Sequence, residues 1–232
     1  MPCVMELTGG PDGPPAKTGY SAVDNSAGMM GALGLLAKLL EGVGGQIDIA
    51  MYDVMLSQLN YLASAWLNFG VKPRRYANSA HPYIVPAQVF PTADGWLTLF
   101  ITHDDFWRKF SHEIGRPEWV IDPRFATMEG RRANRDMVIS AISEALAAAS
   151  ATEWAERLTP SGVVAAEVGS LETALASAQT RARQMVVEIP TSSGPIRSVG
   201  NPVKASGQDQ TFAPPPLLGE HNHLLTRAAT PT

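Results

Sequence analysis

The chain has 232 residues, of which 45% are hydrophobic and 17% charged, a composition typical of globular proteins large enough to bury a core. Its formal net charge is −4, and it contains no basic run of the kind that nucleic acid requires. The longest strongly apolar stretch, residues 27–40, is too short to span a membrane, and the single cysteine, Cys3, excludes an intrachain disulfide and a cysteine-based metal cluster.

The N-terminal sequence MPCVMELTGG has no basic region followed by an apolar run, so we predict no secretory signal peptide and no membrane partner. One cysteine in the whole chain is typical of a reducing compartment. We therefore predict a cytoplasmic location.

The first 71 residues are predicted to alternate helix and strand. Residues 1–20 are rich in Gly and Pro and favour turns. A buried helix is predicted over residues 25–41, ended by the glycines of EGVGGQ. In QIDIAMYD, apolar residues alternate with polar or small ones, which predicts a strand, and a second helix follows over residues 53–69, with Gly70 as its stop. This order is typical of a parallel α/β sheet.

A β-hairpin and several helices are predicted next. PAQVF and WLTLFI flank PTADG, whose Asp-Gly pair is a turn signal. Helices are predicted over residues 104–114, 131–149 and 152–158. The longest has one apolar stripe, formed by Val138, Ile142, Ala145 and Ala149.

The positive cluster Arg131, Arg132 and Arg135 is interpreted as the solvated face of that helix. VVAAEV then predicts a strand, and residues 170–183 a helix capped by Ser170. The last segment, residues 184–232, contains the turn-like APPPLLGEH and a frayed tail.

Asp24 is the only charged residue between Lys17 and Lys38, and it directly precedes the predicted helix. One interpretation is an N-cap, whose carboxylate accepts from free N–H groups of the first turn. The other is a nucleophilic or basic carboxylate that the helix dipole keeps ionised. Composition alone favours the cap, and the two roles are compatible.

Motifs of several other catalytic classes are absent. The sequence has no P-loop, no G-x-G-x-x-G after a strand and no G-x-S-x-G. The histidines lack the spacing of zinc ligands, so no metal site is predicted.

Four segments occur in the order in which one enzyme family has them. DGPPAKTGYSAVDNSAGMMGALGLLAKLLEGVGGQIDIAMYDVML is followed by NSAHPYIVPAQVFPTADGWL, DPRFATMEGRRANRD and PPPLLGEH. Together they resemble the family III CoA-transferases, which include formyl-CoA transferase. The resemblance implies that family's α/β fold. It divides the chain into part of a Rossmann-like large domain (residues 1–71), a small α/β domain (72–183) and a return to the large domain with a tail (184–232).

The resemblance implies that Asp24 is the covalent catalyst. In the family, the matching aspartate attacks the acyl-CoA thioester, forms a mixed anhydride and releases CoA thiolate; the acyl group and the CoA are then exchanged with an acceptor carboxylate through an aspartyl-CoA thioester. Coenzyme A, acyl-CoA and a carboxylic acid would be substrates, with no permanently bound cofactor.

The segment NSAHPY falls where the family has a mobile loop over the active site. The resemblance makes Asn78, His81 and Tyr83 candidates for substrate contact, although a role for His81 in stabilising the turn is equally compatible with the sequence. Some family members have a run of glycines there, and this chain has none, so we expect a stiffer or differently shaped loop.

Family members carry a long region before the segment with which this chain begins, and that region holds most CoA-binding residues. No CoA-binding residue is therefore assigned. We expect an interlocked homodimer, the assembly of the family, or a second chain that supplies the N-terminal half.

Two other functions remain open at this point. In an α-methylacyl-CoA racemase, the matching aspartate transfers a proton as acid and base, but those relatives tend to have glycines directly after it. A non-catalytic assembly subunit, derived by truncation, is the third hypothesis.

Overall fold

The computed structural model describes residues 2–207 and 211–227. Contacts divide the chain into a first unit, residues 1–168, and a second unit, residues 169–232. The domain boundaries predicted after residues 71 and 183 stay a prediction. No helix within the described ranges is long and apolar enough to cross a membrane.

The first unit begins with four helices. They are α1 (Pro2–Glu6), α2 (Ala22–Glu41), α3 (Met51–Ser57) and α4 (Asn60–Phe69). Gly42 and Gly70 follow α2 and α4 with φ angles of 68° and 63°, the left-handed conformation in which glycine commonly ends a helix. Helix α3 contacts both α2 and α4, and its Val54 and Met55 are buried.

The strand predicted over QIDIAMYD is wrong. Residues 43–50 form no regular element, and α3 begins at Met51. An alternating pattern predicts an extended segment, but a strand also needs a partner for its backbone hydrogen bonds. Within the described residues no strand pairs with this segment, and every strand pairing is antiparallel, so the predicted parallel sheet is absent from them.

A three-stranded antiparallel sheet confirms the predicted hairpin. Its strands are β1 (Ala87–Pro91), β2 (Trp96–Phe100) and β3 (Val164–Glu167), in the order β1-β2-β3. Ala87 lies opposite Phe100. In the turn, Asp94 accepts a hydrogen bond from the backbone N–H of Ala151 at 2.9 Å, which connects the hairpin to the start of a later helix.

Four helices complete this unit: α5 (Asp104–Glu113), α6 (Met128–Ala133), α7 (Arg135–Leu146) and α8 (Ala151–Leu158). Helices α7 and α8 contact the sheet, while α5 contacts α8 and α6 contacts α7. The predicted helix 131–149 is therefore two helices, separated at Asn134. The core of the unit consists of buried apolar side chains from these elements and their connections: Val85, Phe90, Leu97, Leu99, Ile101, Trp107, Phe110, Ile114, Trp119, Phe125, Val138, Ile142, Ala145, Leu146, Trp154, Leu158 and Val163.

The interpretation of Arg131, Arg132 and Arg135 as a solvated face is wrong for two of the three. Arg132 is exposed, Arg135 is half-buried and Arg131 is 0% exposed. Arg131 is buried because its guanidinium finds acceptors inside the unit, the backbone oxygens of Val85 and Phe125, each at 2.8 Å. Buried polar groups are tolerated when they are hydrogen-bonded in this way.

The second unit contains short elements. They are α9 (Leu171–Ala176), α10 (Ala178–Ala182), β4 (Val186–Ile189), β5 (Ile196–Val199) and α11 (Asn222–Arg227), with β4 and β5 forming an antiparallel pair. The predicted cap Ser170 is confirmed, since its hydroxyl accepts from Thr173 N–H. The predicted single helix is broken at Ser177, which caps α10. The end of the frayed tail, residues 228–232, lies outside the described residues.

Candidate active site

Asp24 lies inside the first turn of α2, as its third residue. Ser21 occupies the N-cap position, so the interpretation of Asp24 as the N-cap is wrong. Helix α2 begins three residues before the predicted start. The Asp24 carboxylate is exposed and has no hydrogen bond or ion pair with any residue that the structure describes.

The surroundings of Asp24 are open and uncharged. An open depression contains its side chain, together with Tyr20, Ala22, Asn25, Ser26, Gly28, Met29 and Ala32. The N–H groups of the first helical turn have no partner within a helix and carry its positive partial charge. In this arrangement a ligand can reach the carboxylate, which lies next to potential donors for a developing oxyanion.

The loop before β1 contains the other predicted site residues. Asn78 and Ser79 have left-handed φ angles of 54° and 56°, a conformation that asparagine adopts more readily than most residues. The His81 N–H donates to the backbone oxygen of Ala87 at 2.8 Å, which ties the loop to the first residue of β1.

The hydrogen bonds of His81 determine its tautomer. Its Nδ1 lies 3.1 Å from the backbone N–H groups of both Tyr83 and Ile84, so Nδ1 accepts and the ring proton of the neutral form is on Nε2. Nε2 lies 3.2 Å from the hydroxyl of Tyr61, on α4. Because Nε2–H donates to the Tyr61 oxygen, the hydroxyl hydrogen of Tyr61 is free to donate to another acceptor.

The two rings that form this hydrogen bond pack against a third. The centroids of Tyr61 and His81 are 5.6 Å apart, and Tyr83 lies 6.1 Å from His81 and 6.3 Å from Tyr61. We call Tyr61, His81 and Tyr83 the ring cluster. The predicted turn-stabilising role of His81 is present in this geometry, and the same ring also orients a neighbouring hydroxyl.

Arg135, the first residue of α7, is hydrogen-bonded to the backbone of the loop. Its Nη2 donates to the backbone oxygens of His81, at 3.0 Å, and Pro82, at 2.9 Å. Its guanidinium also lies over the ring of Tyr76, 5.1 Å from the centroid. Burial, and then the positive charge of Arg135, hold the pKa of His81 below its ordinary value, so the neutral imidazole is favoured.

The structure brings some of the predicted residues together and not others. His81 and Tyr83 share the ring cluster, whereas Asn78 shapes the backbone three residues before His81. The depression that contains Asp24 is lined by no residue of this loop. Tyr61 and Arg135 were not identified as site residues from the sequence. Tyr61 lies in a predicted helix without a motif, and Arg135 was interpreted as part of a solvated charged face.

Metal binding has no support in the part of the chain that is described, where no group of three or more His, Cys, Asp and Glu side chains is arranged to hold an ion.

Comparisons with known proteins agree on one family. The model of CoA-transferase family III matches residues 1–222. The acetyl-CoA:oxalate CoA-transferase of Acetobacter aceti is 32% identical over 98% of this chain and 59% of its own length. The succinate–glutarate CoA-transferase of Agrobacterium fabrum is 31% identical over 98% of this chain and 60% of its own.

A solved structure has the same fold. The CAIB/BAIF family protein from Brucella suis matches with a TM-score of 0.75 at 29% identity, over 97% of this chain and 60% of that one. The predicted family fold is thereby confirmed. The chain spans about 60% of the length of each of these proteins.

Proposed function

Because the chain belongs to CoA-transferase family III, we propose that it acts in the transfer of CoA from an acyl-CoA to a carboxylic acid, with Asp24 as the nucleophile. The observation that carries the proposal is the setting of Asp24. It is an exposed carboxylate without a competing cation among the described residues, in the first turn of a 20-residue helix. A carboxylate is a weak nucleophile, so positioning and electrostatic stabilisation must supply much of the rate.

The proposed reaction has four steps that conserve charge and atoms. The Asp24 carboxylate attacks the thioester carbonyl, the C–S bond breaks, and a mixed anhydride and CoA thiolate form. The thiolate attacks the Asp24 carbonyl and releases the donor acid, leaving an aspartyl-CoA thioester. The acceptor carboxylate attacks this thioester and again expels the thiolate. The thiolate then attacks the acceptor acyl carbon, which gives the new acyl-CoA and regenerates Asp24.

The loop is proposed to contact the substrate. Asn78 shapes the turn, while His81 and Tyr83 contribute ring surfaces. The neutral His81 holds the Tyr61 oxygen, so the Tyr61 hydroxyl would donate to a carbonyl or carboxylate oxygen of the ligand. CoA and acyl-CoA enter this scheme as substrates, and no permanently bound cofactor is needed.

The acceptor is proposed to be a dicarboxylic acid. Two relatives are named for transfer to or from oxalate, succinate and glutarate, all of which carry two carboxyl groups. One group reacts in such a substrate, and the other stays charged and needs a cationic contact.

The experiment traps the covalent intermediate. The chain is incubated with acyl-CoA, alone and with a polypeptide that corresponds to the N-terminal part of a relative, and its peptides are analysed by mass spectrometry. We expect the peptide with Asp24 to gain the mass of CoA less water. Asp24→Asn should abolish the adduct and the transfer.

Asp53→Asn is the matched control, since Asp53 is also exposed and also the third residue of a helix, α3. It should leave the adduct unchanged. An adduct on another residue, or full transfer by Asp24→Asn, would refute the role of Asp24. Entry of solvent deuterium at the α-carbon of a 2-methylacyl-CoA would instead identify a racemase. Absence of CoA binding and of activity with every partner would identify an assembly subunit.

A further inference from the structure

A cavity of about 380 Å³ lies in the first unit, next to the ring cluster. Tyr83 forms part of its wall, and three cationic side chains line it: Lys72, Arg74 and Arg75. Among the described residues that line it, none is acidic. We call it the basic cavity. Such a concentration of positive charge is unusual in a chain whose net charge is −4.

Contacts with the surrounding chain hold two of the cations in place. Arg75 donates from Nη1 to the backbone oxygen of Pro14 at 2.9 Å. Arg74 lies over the ring of Tyr76, with 4.7 Å from its guanidinium carbon to the centroid. These guanidinium groups are therefore oriented before any ligand arrives, which lowers the entropy cost of binding.

Gly9 allows the approach of Arg75 to this wall. Its φ angle is +104°, and a Cβ atom at this position would lie 3.2 Å from the Pro14 oxygen and 3.5 Å from Arg75 Nη1. A side chain here would thus be strained by the φ angle and would crowd the Pro14 oxygen that accepts from Arg75. The glycine keeps the backbone close enough for the Arg75–Pro14 hydrogen bond.

No ion pair among the described residues neutralises the positive charge of the basic cavity. None of the ion pairs within residues 2–207 and 211–227 involves Lys72, Arg74 or Arg75. Asp136 acts on Arg74 through its charge, but it does not line the cavity. Neighbouring like charges repel, and a bound anion would relieve that repulsion.

We propose that the basic cavity binds a small oxyanion, a carboxylate or a phosphate that a substrate carries. The identity of that substrate rests on the proposed function, since the second carboxylate of a dicarboxylic acid and the phosphates of CoA have the same chemistry. Guanidinium groups offer paired N–H donors that match both anions, and Lys72 adds a point charge.

Isothermal titration calorimetry on the full chain tests the proposal at constant ionic strength. Glutarate and inorganic phosphate are the two anionic probes, and glutaramide is the uncharged analogue of the first. We expect at least one anion to bind and glutaramide not to bind. Lys72→Gln and Arg74→Gln should each weaken binding about tenfold, the usual effect of losing one charge-assisted contact.

Lys109→Gln is the control variant, because it removes one positive charge in the same unit and Lys109 does not line the basic cavity. The Lys109→Gln variant should bind each anion as tightly as the unchanged chain does. Thermal unfolding of all three variants establishes that they are folded. Both Lys72 and Arg74 are exposed, so similar midpoints are expected.

Each outcome has a definite meaning. Binding of glutarate alone assigns the cavity to a dicarboxylic acid, and binding of phosphate alone assigns it to CoA; binding of both supports the oxyanion site with either source. Binding of neither anion, or equal binding by Lys72→Gln, Arg74→Gln and the control, overturns the proposal. Calorimetry does not require catalysis, so the two proposals can fail separately. CoA transfer without anion binding would refute only the anion-binding role of the basic cavity. Anion binding without an Asp24 adduct would refute only the proposed function.

Discussion

Arg131 connects the segment before β1, helix α5 and the loop before α6 through one guanidinium. Nε and Nη1 donate to the backbone oxygens of Val85 and Phe125, and Nη2 donates to Asp104 Oδ1 at 2.9 Å. The guanidinium carbon lies 4.6 Å from the ring centroid of Trp107. Burial lowers the pKa of Arg131, and Asp104 opposes this effect. The charge is thus retained by specific partners rather than by solvent.

Arg131→Met is expected to destabilise the first unit by about 3 kcal/mol or more. The methionine fills part of the volume, but it leaves two buried carbonyl oxygens without donors, at roughly 1–3 kcal/mol each. Urea unfolding followed by tryptophan fluorescence measures the change. Arg132→Met, at the exposed neighbouring position, is the control and should change stability by under about 0.5 kcal/mol. Equal effects of the two substitutions would contradict the buried network.

His81 is expected to titrate below the ordinary histidine pKa of about 6.5. Burial and the Arg135 charge lower its pKa in the folded chain, so folding favours the neutral ring. Its contribution to stability is therefore fully present above about pH 6.5 and is lost as the pH falls through the lowered value. Protonation would also remove Nδ1 as acceptor for Tyr83 and Ile84. NMR titration of the His81 Cε1 proton measures the pKa.

Arg135→Gln should raise the pKa of His81 towards its ordinary value, because the nearby positive charge disappears. The exposed Arg132→Gln removes the same charge from the neighbouring helix α6. It should have a smaller effect, because Arg135 and not Arg132 acts on the pKa of His81. A wild-type pKa at or above 6.5, or no change in Arg135→Gln, would count against the described electrostatics.

The tight packing of α6 depends on Gly130. Its N–H donates to Thr127 Oγ1 at 3.1 Å, which caps the helix. A Cβ atom at this position would collide with the backbone oxygen of Pro123 and lie 3.3 Å from Thr127 Oγ1. Since a backbone atom cannot rotate away, the segment before α6 would have to move.

Gly130→Ala should therefore destabilise the chain by about 1–3 kcal/mol, the usual cost of overpacking. This outweighs the gain of up to ~1 kcal/mol that alanine brings to a helix. Chemical unfolding checks the sign, and Gly95→Ala is the control, because a Cβ atom there meets nothing within 4 Å. Stabilisation by Gly130→Ala would show that the segment before α6 can yield.

Local signals predicted the elements whose causes are local. The Asp94–Gly95 turn predicted the hairpin, and Gly42 and Gly70 predicted the ends of two helices. The breaks at Asn134 and Ser177 were not predicted, although side chains of this type can bond to the nearby backbone and interrupt a helix. The prediction of a strand after α2 was wrong because a strand needs a second strand to pair with, and a local pattern does not indicate whether one is present.

The candidate site was predictable to a similar extent. Its loop and Asp24 follow from short segments that resemble a family, because those segments are continuous in sequence. The contacts of Tyr61 and Arg135 with the loop join residues 20 and 54 positions apart from His81, and no local pattern indicates such pairs. The basic cavity was missed for the same reason, since residues distant in sequence, such as Gly9 and Tyr83, form its wall together with the three cations.

Helices α2, α3 and α4 expose a large apolar surface. Leu40 on α2 is 90% exposed and Phe69 on α4 is 81% exposed. We call the exposed apolar residues of these three helices the apolar surface: Met29, Met30, Leu33, Leu35, Leu36, Leu39, Leu40, Met51, Tyr52, Leu56, Tyr61, Trp66, Leu67 and Phe69. Burial of one large aliphatic side chain stabilises by ~1.5–3 kcal/mol, and contiguous patches of this kind mark interfaces or aggregation sites.

We expect the chain to associate through the apolar surface, with a second copy of itself or with another polypeptide. Leu36→Glu should shift the assembly towards the monomer, because a buried unpaired carboxylate is strongly unfavourable. Ile121→Glu is the control; Ile121 is 84% exposed in the first unit but lies outside the apolar surface, so the assembly should persist. Sedimentation velocity measures both variants. A compact monomer of about 24.8 kDa for the unchanged chain, soluble at micromolar concentration without any partner, would contradict the prediction, since such a monomer would leave every side chain of the apolar surface in water.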